Sequence, residues 1–339
     1  CLVAYYGNGI KIIEGEKENV LVDEKKHRRI LLMEMLAKIM SKEHCNYAYI
    51  RRMPCNPLII NMLRNIKKNG ATKIVWEIPT YPYDYEGDEK KRSLSSKIVS
   101  MMDKIYRKQL RRYVTRIVTF SNEQNIFNIK TINTGNGIDV NAISPRVIRQ
   151  RDDVLNLIAV AVLEKWHGYD RLICGLGKYY QENGNRNIIF HLVGDGNCLE
   201  QYKELAEKFN LKNHVVFYGY MKKNEIDNIY NKCDMAVESL GWHRSKVSMG
   251  TSIKTREYLA KGLPIIASTH MDIFPEGWKY AYYAPIDDSP ININEILHFY
   301  DEIISIKSEK ELSEDIRNIA VEKCDMSVTM KPIIDYYHE

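Results

Sequence analysis

The sequence has 339 residues, of which 45% are hydrophobic and 27% charged, with a formal net charge of +5. These values are those of an ordinary globular protein with about two domains, and its core is large enough to need no staples. The seven cysteines contain no CxxC pair, which argues against a zinc cage or a disulfide framework and favours reduced thiols in a cytoplasm. No apolar run approaches the roughly 20 residues that cross a bilayer.

Strands and helices alternate through the first half of the chain. The chain opens in what reads as a strand already in progress, and we expect residues to precede Cys1. The pattern then predicts a hairpin over 1–22, a helix over 27–41, a strand at YAYIR, a helix over 57–69, a strand at KIVWEIP, a helix over 93–113, a strand at RIVTFS and a loop at INTGNGIDV. Strands separated by helices indicate parallel pairing and an open α/β layer structure.

A polar, charged segment around Pro145 interrupts this pattern, and we expect the domain boundary there. Beyond it the alternation repeats more cleanly, which predicts a second doubly wound α/β domain, with one helical stretch over 292–322 near its end. The predicted organisation is a first domain over 1–150, a second over 151–325 and a C-terminal helix over 326–339 that packs back on the first.

Ligands of doubly wound sheets bind at the carboxyl ends of the strands, and each such end in the second domain carries polar groups or glycines. Taken alone, each residue is better interpreted as solvated surface or as part of a turn than as part of a site. Together they favour one bound ligand, with these candidates: Lys165, His167, Arg171, Gly194, Asp195, Gly196 and Tyr220.

The segment SMGTSIKTREYLAKGLPII, residues 248–266, carries the sharpest signal. Gly250, Thr251 and Ser252 stand where a helix begins, and free amides at a helix start bind anions. Lys254 suits a phosphate. Glu257 lies about five residues beyond the start of the helix, and thus about 7.5 Å along its axis, where it could accept from a ribose diol. The alternative is an ordinary ion pair between Lys254 and Glu257 on one helix face.

These motifs resemble those of GT-B glycosyltransferases of the retaining family 4. The resemblance covers about residues 155–268 and rests on VLEKWHGYDRLICGL, HLVGDG, VVFYGYM, YNKCDMAVES and TSIKTREYLAKGLPIIAS. A second segment, KIVWEIPTYPYDYE, resembles the first domain of bacterial capsule and exopolysaccharide transferases.

The resemblance implies two Rossmann-like domains that face each other across a cleft. It implies a nucleotide-sugar donor held by the second domain, an acceptor in the first, and neither metal nor cofactor. Glu257 would bind ribose, the amides of 250–252 would face the diphosphate and the donor sugar, and Lys165 with His167 would meet the diphosphate. The catalytic candidates are Lys165, Lys254 and Glu77. Glu77 and Asp84 are the polar residues nearest to the place where the family has a histidine in its first domain.

Three departures from the family pattern stand out. Met249 replaces the first of the family's two glutamates, and Ala161 replaces an arginine often found before the loop lysine. The glycine-rich loop that usually follows the first strand of the first domain is not visible, which fits the expectation of a missing N-terminal segment.

Residues 89–116 hold ten Lys and Arg against two acids, with apolar residues interleaved. A basic amphipathic helix of this kind lies on anionic membranes, or else buries its apolar side in a core. The prediction is a cytoplasmic, membrane-peripheral glycosyltransferase that acts on a growing, lipid-linked cell-surface glycan and binds no nucleic acid. The alternatives are a sugar-nucleotide epimerase on the same architecture and a catalytically silent binding subunit.

Overall fold

The computed structural model describes residues 2–6, 9–21, 32, 35–36, 39, 46–83, 94–149, 153–245, 247, 249–274 and 278–339. These residues form two compact units. The first comprises Cys1–Thr134 with Lys331–Glu339, and the second comprises Gly135–Met330.

The first unit begins with an antiparallel sheet of three strands in sequence order, β1 (Leu2–Tyr6), β2 (Gly9–Glu14) and β3 (Lys17–Leu21). This sheet extends the predicted hairpin by one strand. The predicted helix over 27–41 lies largely outside the described residues. Its four described members, Leu32, Met35, Leu36 and Ile39, are helical and pack with Ile10 and Ile12 of β2.

The main sheet of the first unit has the order β4-β5-β6-β8-β7, with only β7 antiparallel. Its strands are β4 (Tyr47–Arg51), β5 (Lys73–Ile78), β6 (Arg116–Thr119), β7 (Asn125–Ile126) and β8 (Ile129–Asn133). Helix α1 (Pro57–Lys68) packs on this sheet through its buried apolar side. It begins where the Asn56 side chain accepts the Ile59 N–H and Pro57 presets the first turn.

Two elements of the first unit differ from expectation. Strand β8 includes the first two residues of the predicted loop at INTGNGIDV. The sequence did not predict this strand because its pattern is too short and too polar. The predicted helix over 93–113 is α2 (Leu94–Tyr106) followed by a 3₁₀ helix (Arg107–Arg112).

The second unit is built on a parallel sheet with the order β11-β10-β9-β12-β13-β14. The strands are β9 (Val154–Val160), β10 (Asn187–Val193), β11 (Val215–Gly219), β12 (Met235–Val237), β13 (Ile265–Ala267) and β14 (Ala281–Tyr283). Successive strands run outward from β9 in one direction and then, from β12, in the other. This reversal makes the sheet doubly wound, as predicted.

Helices connect these strands and cover the sheet. They are α3 (Tyr169–Gln181), α4 (Leu199–Lys208), α5 (Lys223–Tyr230), α6 (Ile253–Lys261), α7 (Ile293–Ile306), α8 (Glu309–Lys323) and α9 (Met326–Thr329). The predicted helical stretch over 292–322 is two helices, because Ser308 and Glu311 form a capping box that starts α8.

The boundary expected near residue 150 lies earlier, since residues 135–149 belong to the second unit. Ile138, Val140 and Ile143 are part of its core, and the Arg146 N–H donates to the Lys261 carbonyl. The polar residues of 135–149 therefore belong to the surface of the second unit and do not form a linker between domains. The last helix, α10 (Lys331–His338), belongs to the first unit, where Lys73 donates to the Tyr336 carbonyl.

Candidate functional site

The polar groups of the second unit gather where β9 and β12 end side by side. These neighbouring strands lead in opposite directions around the sheet, so their carboxyl ends form the crevice where doubly wound folds bind ligands. The segment after β9 leads into α3, and the segment after β12 leads into α6.

Glu238, the first residue after β12, is a fully buried carboxylate at this crevice. Its Oε2 accepts from the Ser239 N–H and, at 2.9 Å, from Trp242 Nε1–H. Its Oε1 accepts from Ser252 Oγ at 2.5 Å and from Thr255 Oγ1 at 3.2 Å. Burial alone would raise the pKa of Glu238, but nearby Lys254 and these hydrogen bonds outweigh burial, and the pKa lies below its ordinary value.

Lys254 is the cation that pairs with Glu238, with Nζ 3.5 Å from Oε1. The ammonium also donates to Ser239 Oγ at 2.8 Å and to the Tyr169 hydroxyl at 3.2 Å. Burial lowers the pKa of Lys254, and the Glu238 carboxylate opposes that shift. The pairing of Lys254 with Glu257 that the sequence left open is therefore not formed.

Glu257 is half-buried on the next turn of α6. Among the described residues its carboxylate has no hydrogen bond or ion pair. Burial raises its pKa, with Lys223 and Lys261 opposing the shift. Lys261 itself is paired with Asp227 at 2.7 Å. Glu257 is thus a carboxylate whose oxygens are open to a ligand.

The loop before α6 differs in detail from the predicted anion site. The Gly250 N–H donates to the His270 carbonyl at 2.9 Å, and the Asp272 N–H donates to the Gly250 carbonyl at 3.0 Å. The predicted use of the Gly250 amide is therefore wrong, because that amide is occupied by a short parallel bridge. In the described part of the chain, the amides of Thr251, Ser252, Ile253 and Lys254 have no acceptor, whereas the Thr255 N–H donates to Ser252 Oγ.

Two polar side chains hold this loop in place by donating to its backbone carbonyls. Asn136 Nδ2 donates to the Thr251 carbonyl at 2.6 Å, and Arg256 Nη1 donates to the Ser252 carbonyl at 3.0 Å. Arg256 is fully buried, donates from Nε to the Asn136 carbonyl at 2.7 Å and pairs with Asp272 at 2.5 Å. Because these bonds take up carbonyl oxygens, they leave the amide side of the loop open.

The segment after β9 presents Lys165 and His167 in a short 3₁₀ helix. The Lys165 side chain is exposed, and no partner for it occurs among the described residues. His167 is buried, and its Nδ1 accepts the Glu164 N–H at 3.1 Å. Burial lowers the pKa of His167 to about 3, with Lys254 adding to the shift. The predicted basic pair is therefore one cation and one neutral imidazole, whose proton sits on Nε2.

Arg171 was predicted to bind the donor. In the structure it is buried, and its guanidinium donates to backbone carbonyls of the chain itself. It donates to the Leu240 carbonyl, to the Ser289 carbonyl at 2.8 Å and to the Pro285 carbonyl at 2.8 Å. It also pairs with Asp287, at 3.4 Å. Arg171 thus fixes the loops around the crevice from inside.

The glycines after β10 also have a structural explanation. A Cβ on Gly194 would lie 1.8 Å from the Ala161 carbonyl oxygen, and one on Gly196 would lie 2.5 Å from the Leu163 backbone. These glycines permit close approach to the segment after β9, rather than to a ligand. Asp195 is exposed and accepts the Gly196 N–H, and Tyr220 is 84% exposed. A ligand role for these two residues stays a prediction.

Glu77 lies in the first unit, near the end of β5. Its Oε2 accepts from the Tyr49 hydroxyl at 2.9 Å, and its Oε1 lies 3.5 Å from Arg51 Nη1. These contacts account for its burial, so its catalytic role stays a prediction. Asp84 lies outside the described residues. Within the described ranges, no group of three His, Cys, Asp or Glu side chains is arranged to hold a metal ion, and metal-independent transfer stays a prediction.

Residues 142–322 match the family model of the glycosyl transferases group 1. The chain belongs to that family. It is therefore a retaining glycosyltransferase that takes its sugar from a nucleotide-sugar donor, and the resemblance read from the motifs is confirmed. The epimerase alternative is not supported. No curated protein gives a significant match to the sequence.

Solved glycosyltransferases share the fold of this glycosyltransferase. One from Rickettsia africae gives a TM-score of 0.62 at 14% identity, over 94% of this chain and 83% of that one. Anabaena Alr3699/HepE in complex with UDP gives 0.61 at 13%, over 92% and 83%. Sucrose-phosphate synthase from Thermosynechococcus elongatus gives 0.63 at 11%, over 98% and 85%. The predicted α/β fold of the GT-B type, with two Rossmann-like domains, is confirmed.

Sequence reasoning missed Glu238, which touches more of the site than any predicted residue. A signal was present, since a carboxylate directly follows the apolar residues MAV, which form β12. An acid in that position is buried unless the chain turns outward at once, and a buried acid requires a cation. Lys254 was the cation available, but the sequence analysis considered only an ion pair with its close neighbour Glu257.

The buried role of Arg171 can be tested with Arg171→Lys, which keeps the charge but loses the planar donor group. We expect unfolding to become easier by at least about 2 kcal/mol, because buried carbonyls lose their donors. Nucleoside-diphosphate affinity, measured where both proteins are folded, should change less than twofold. A variant of unchanged stability with much weaker nucleotide binding would return Arg171 to the ligand site.

The neutral state of His167 predicts a specific acid sensitivity. Since its folded pKa of about 3 lies below the unfolded value of about 6.5, the unfolded state binds more protons below pH 6.5 and stability falls as the pH drops. His167→Asn keeps an acceptor for the Glu164 N–H but does not titrate. From pH 7.5 to pH 5, we expect wild type to lose about 2 kcal/mol more than this variant in urea unfolding. Parallel losses would show that His167 is not held neutral.

Proposed function

We propose that this glycosyltransferase transfers a hexose from a UDP-sugar bound at the crevice between β9 and β12. The observation that carries the proposal is the presence, on one helix, of open amides at the start of α6 and, one turn further on, of the Glu257 carboxylate, which has no partner among the residues that the structure describes. UDP is the diphosphate chosen because the Anabaena protein of this fold was solved with UDP, and also with UDP and glucose.

In this proposal the diphosphate lies against the amides of residues 251–254, with the Lys254 ammonium beside them. Positive helix ends and fixed donors stabilise an anion without reorganising. Lys165 reaches the same charge from the segment after β9, and His167 offers a neutral Nε2–H. Glu257 accepts from both hydroxyls of the ribose.

The same groups serve the chemical step. As the bond from the anomeric carbon to the diphosphate oxygen breaks, negative charge grows on the leaving phosphate. Lys254, Lys165 and the amides of α6 stabilise that charge more strongly in the transition state than in the bound donor. The acceptor hydroxyl attacks from the face that the leaving group occupied and passes its proton to the departing phosphate oxygen, so the anomeric configuration is retained.

Glu257→Gln tests the donor site. The change keeps the shape of the side chain and removes its charge, and hydrogen bonds to a charged group are worth about 1.5–3 kcal/mol. We expect UDP to bind roughly 10- to 100-fold more weakly, with the melting temperature of the free protein nearly unchanged. Isothermal titration gives the affinity.

The matched control is Glu204→Gln, which removes an exposed carboxylate from α4. It should bind UDP as wild type does. Equal affinity of the Glu257→Gln variant and wild type would sink the ribose assignment. Release of UDP from UDP-sugars over a panel of acceptors then separates an enzyme from the catalytically silent subunit that the sequence left open.

We further propose that the acceptor is a lipid-linked, growing cell-surface polysaccharide of the capsule or exopolysaccharide kind, reached from the cytoplasmic face. Support comes from helix α2, whose apolar stripe faces outward. Leu94, Ile98, Met101 and Ile105 are 76%, 53%, 64% and 52% exposed. The core-facing alternative for this stripe does not apply, because the most buried residue of the helix is Asp103.

The charges around this stripe favour a lipid surface over a protein partner. The exposed charged side chains of 94–112 are all basic: Lys97, Lys104, Lys108, Arg111 and Arg112. The single acid, Asp103, is buried and accepts from the Cys55 N–H at 2.6 Å and the Tyr83 hydroxyl at 2.9 Å. An apolar stripe flanked by cations alone suits an anionic bilayer. No helix in the described ranges has the length and apolarity to cross one.

The membrane proposal predicts two separable variants. Replacing the five exposed cations of 94–112 by Gln should weaken binding to vesicles of anionic phospholipid at least 100-fold at low salt, at about 1 kcal/mol per charge. Replacing the four stripe residues by Ser should abolish the binding that survives high salt. UDP affinity should stay at the wild-type value in both.

The control for charge alone replaces five exposed lysines elsewhere by Gln: Lys130, Lys208, Lys212, Lys279 and Lys323. This five-lysine variant should bind vesicles as wild type does. A wild-type protein that ignores anionic vesicles at low salt, or that dimerises through the stripe instead, would end the membrane proposal.

A further inference from the structure

We propose that Glu238 is a positioning residue for the donor: its carboxylate aims Lys254 and fixes the start of α6 against the diphosphate. This inference rests on the proposed donor site. It assigns Glu238 no contact with the donor.

The two oxygens of Glu238 divide between two segments of the crevice. Oε2 accepts from Ser239 and Trp242, in the segment that leaves β12. Oε1 accepts from Ser252 and Thr255, which stand at the N-cap and third position of α6. One carboxylate therefore sets the distance between the strand end and the helix start that offers its amides.

Ser252 links the Glu238 carboxylate directly to the N-cap of α6. Its Oγ donates to Glu238 and at the same time accepts the Thr255 N–H as the N-cap of α6. Loss of the carboxylate would free this hydroxyl to rotate, and the cap would loosen. The amides that bind the anion would then lose their common orientation.

The Lys254 ammonium depends on the same carboxylate. The titratable groups that face it are Glu238 from the end of β12, Tyr169 from α3 and His167 from the segment after β9. Burial raises the pKa of Tyr169 and lowers that of His167, so both are neutral between pH 7 and 9. Glu238 is thus the anion that keeps the largely buried Lys254 charged.

The test is UDP binding by wild type and Glu238→Gln, titrated from pH 7 to pH 9.5. Glutamine keeps the size of the side chain but offers no charge. Without the carboxylate, burial lowers the pKa of Lys254 further, and the ammonium is lost as the pH rises. We expect at least 10-fold weaker binding at pH 7, with a further loss toward pH 9 where wild type changes little.

A double-mutant cycle with Lys254→Met separates positioning from simple damage. If Glu238 acts largely through Lys254, the pH-dependent part of the Glu238→Gln effect disappears in the Lys254→Met background. Glu238→Asp serves if the glutamine variant does not fold. It keeps the charge but loses reach to Ser252, so binding should weaken with a flat pH profile.

The outcomes are distinct. Wild-type binding with an unchanged pH profile in Glu238→Gln, or unaltered affinity in Glu238→Asp, overturns the inference and leaves the donor site standing. Strictly additive effects in the cycle at every pH also overturn it. If wild type itself does not bind UDP, while remaining folded by melting temperature, the proposed function fails and this inference fails with it.

Discussion

The buried pair of Glu238 and Lys254 is the interaction on which the rest of the crevice depends. Two charges taken out of water cost several kcal/mol each, and their attraction repays that cost only with good geometry and added hydrogen bonds. This requirement draws Ser239, Trp242 and Ser252 toward one carboxylate. A buried pair of this kind contributes little net stability, so its main consequence here is the fixed arrangement of strand end, loop and helix start.

Buried and half-buried arginines extend the same arrangement outward by donating to backbone carbonyls. Arg171 binds three carbonyls in two loops next to the crevice, and Arg256 holds the loop before α6. Arg317 of α8 donates to the carbonyls of Ile143 and Val140 at 2.9 and 3.0 Å. Guanidinium groups suit this work because their donors form a rigid planar fork. Several cations of the second unit thus hold its loops in place, whereas Lys165, at the strand ends, has no partner among the described residues.

The sequence predicted well what local patterns determine. Apolar runs such as LNLIAVA and NIIFHLVG became strands, and Ser252 became the N-cap of α6 because its side chain and position both suit that role. Glu257 was singled out from a motif, and the structure leaves its carboxylate open. These features depend on residues a few positions apart, where periodicity and capping rules apply.

Features set by distant partners could not be read in this way. Lys254 pairs with a residue 16 positions away in sequence rather than three, and Gly194 is required by the backbone of Ala161. Arg171 reads as a surface cation until the fold brings carbonyls from residues 240, 285 and 289 around it. Sequence alone gives the chemical type of such a group, while its partner is decided by tertiary packing.

Helix α10 has a consequence for the order in which the protein assembles during synthesis. Tyr337 donates to the Ala48 carbonyl at 3.1 Å, and Arg116 lies over the Tyr336 ring, so the last residues complete the sheet of the first unit. The ribosome makes residues 1–134 first, yet that unit waits for residues 331–339. The second unit is continuous in sequence and can close on itself earlier. The unit whose synthesis begins first is therefore the last to receive all of its residues.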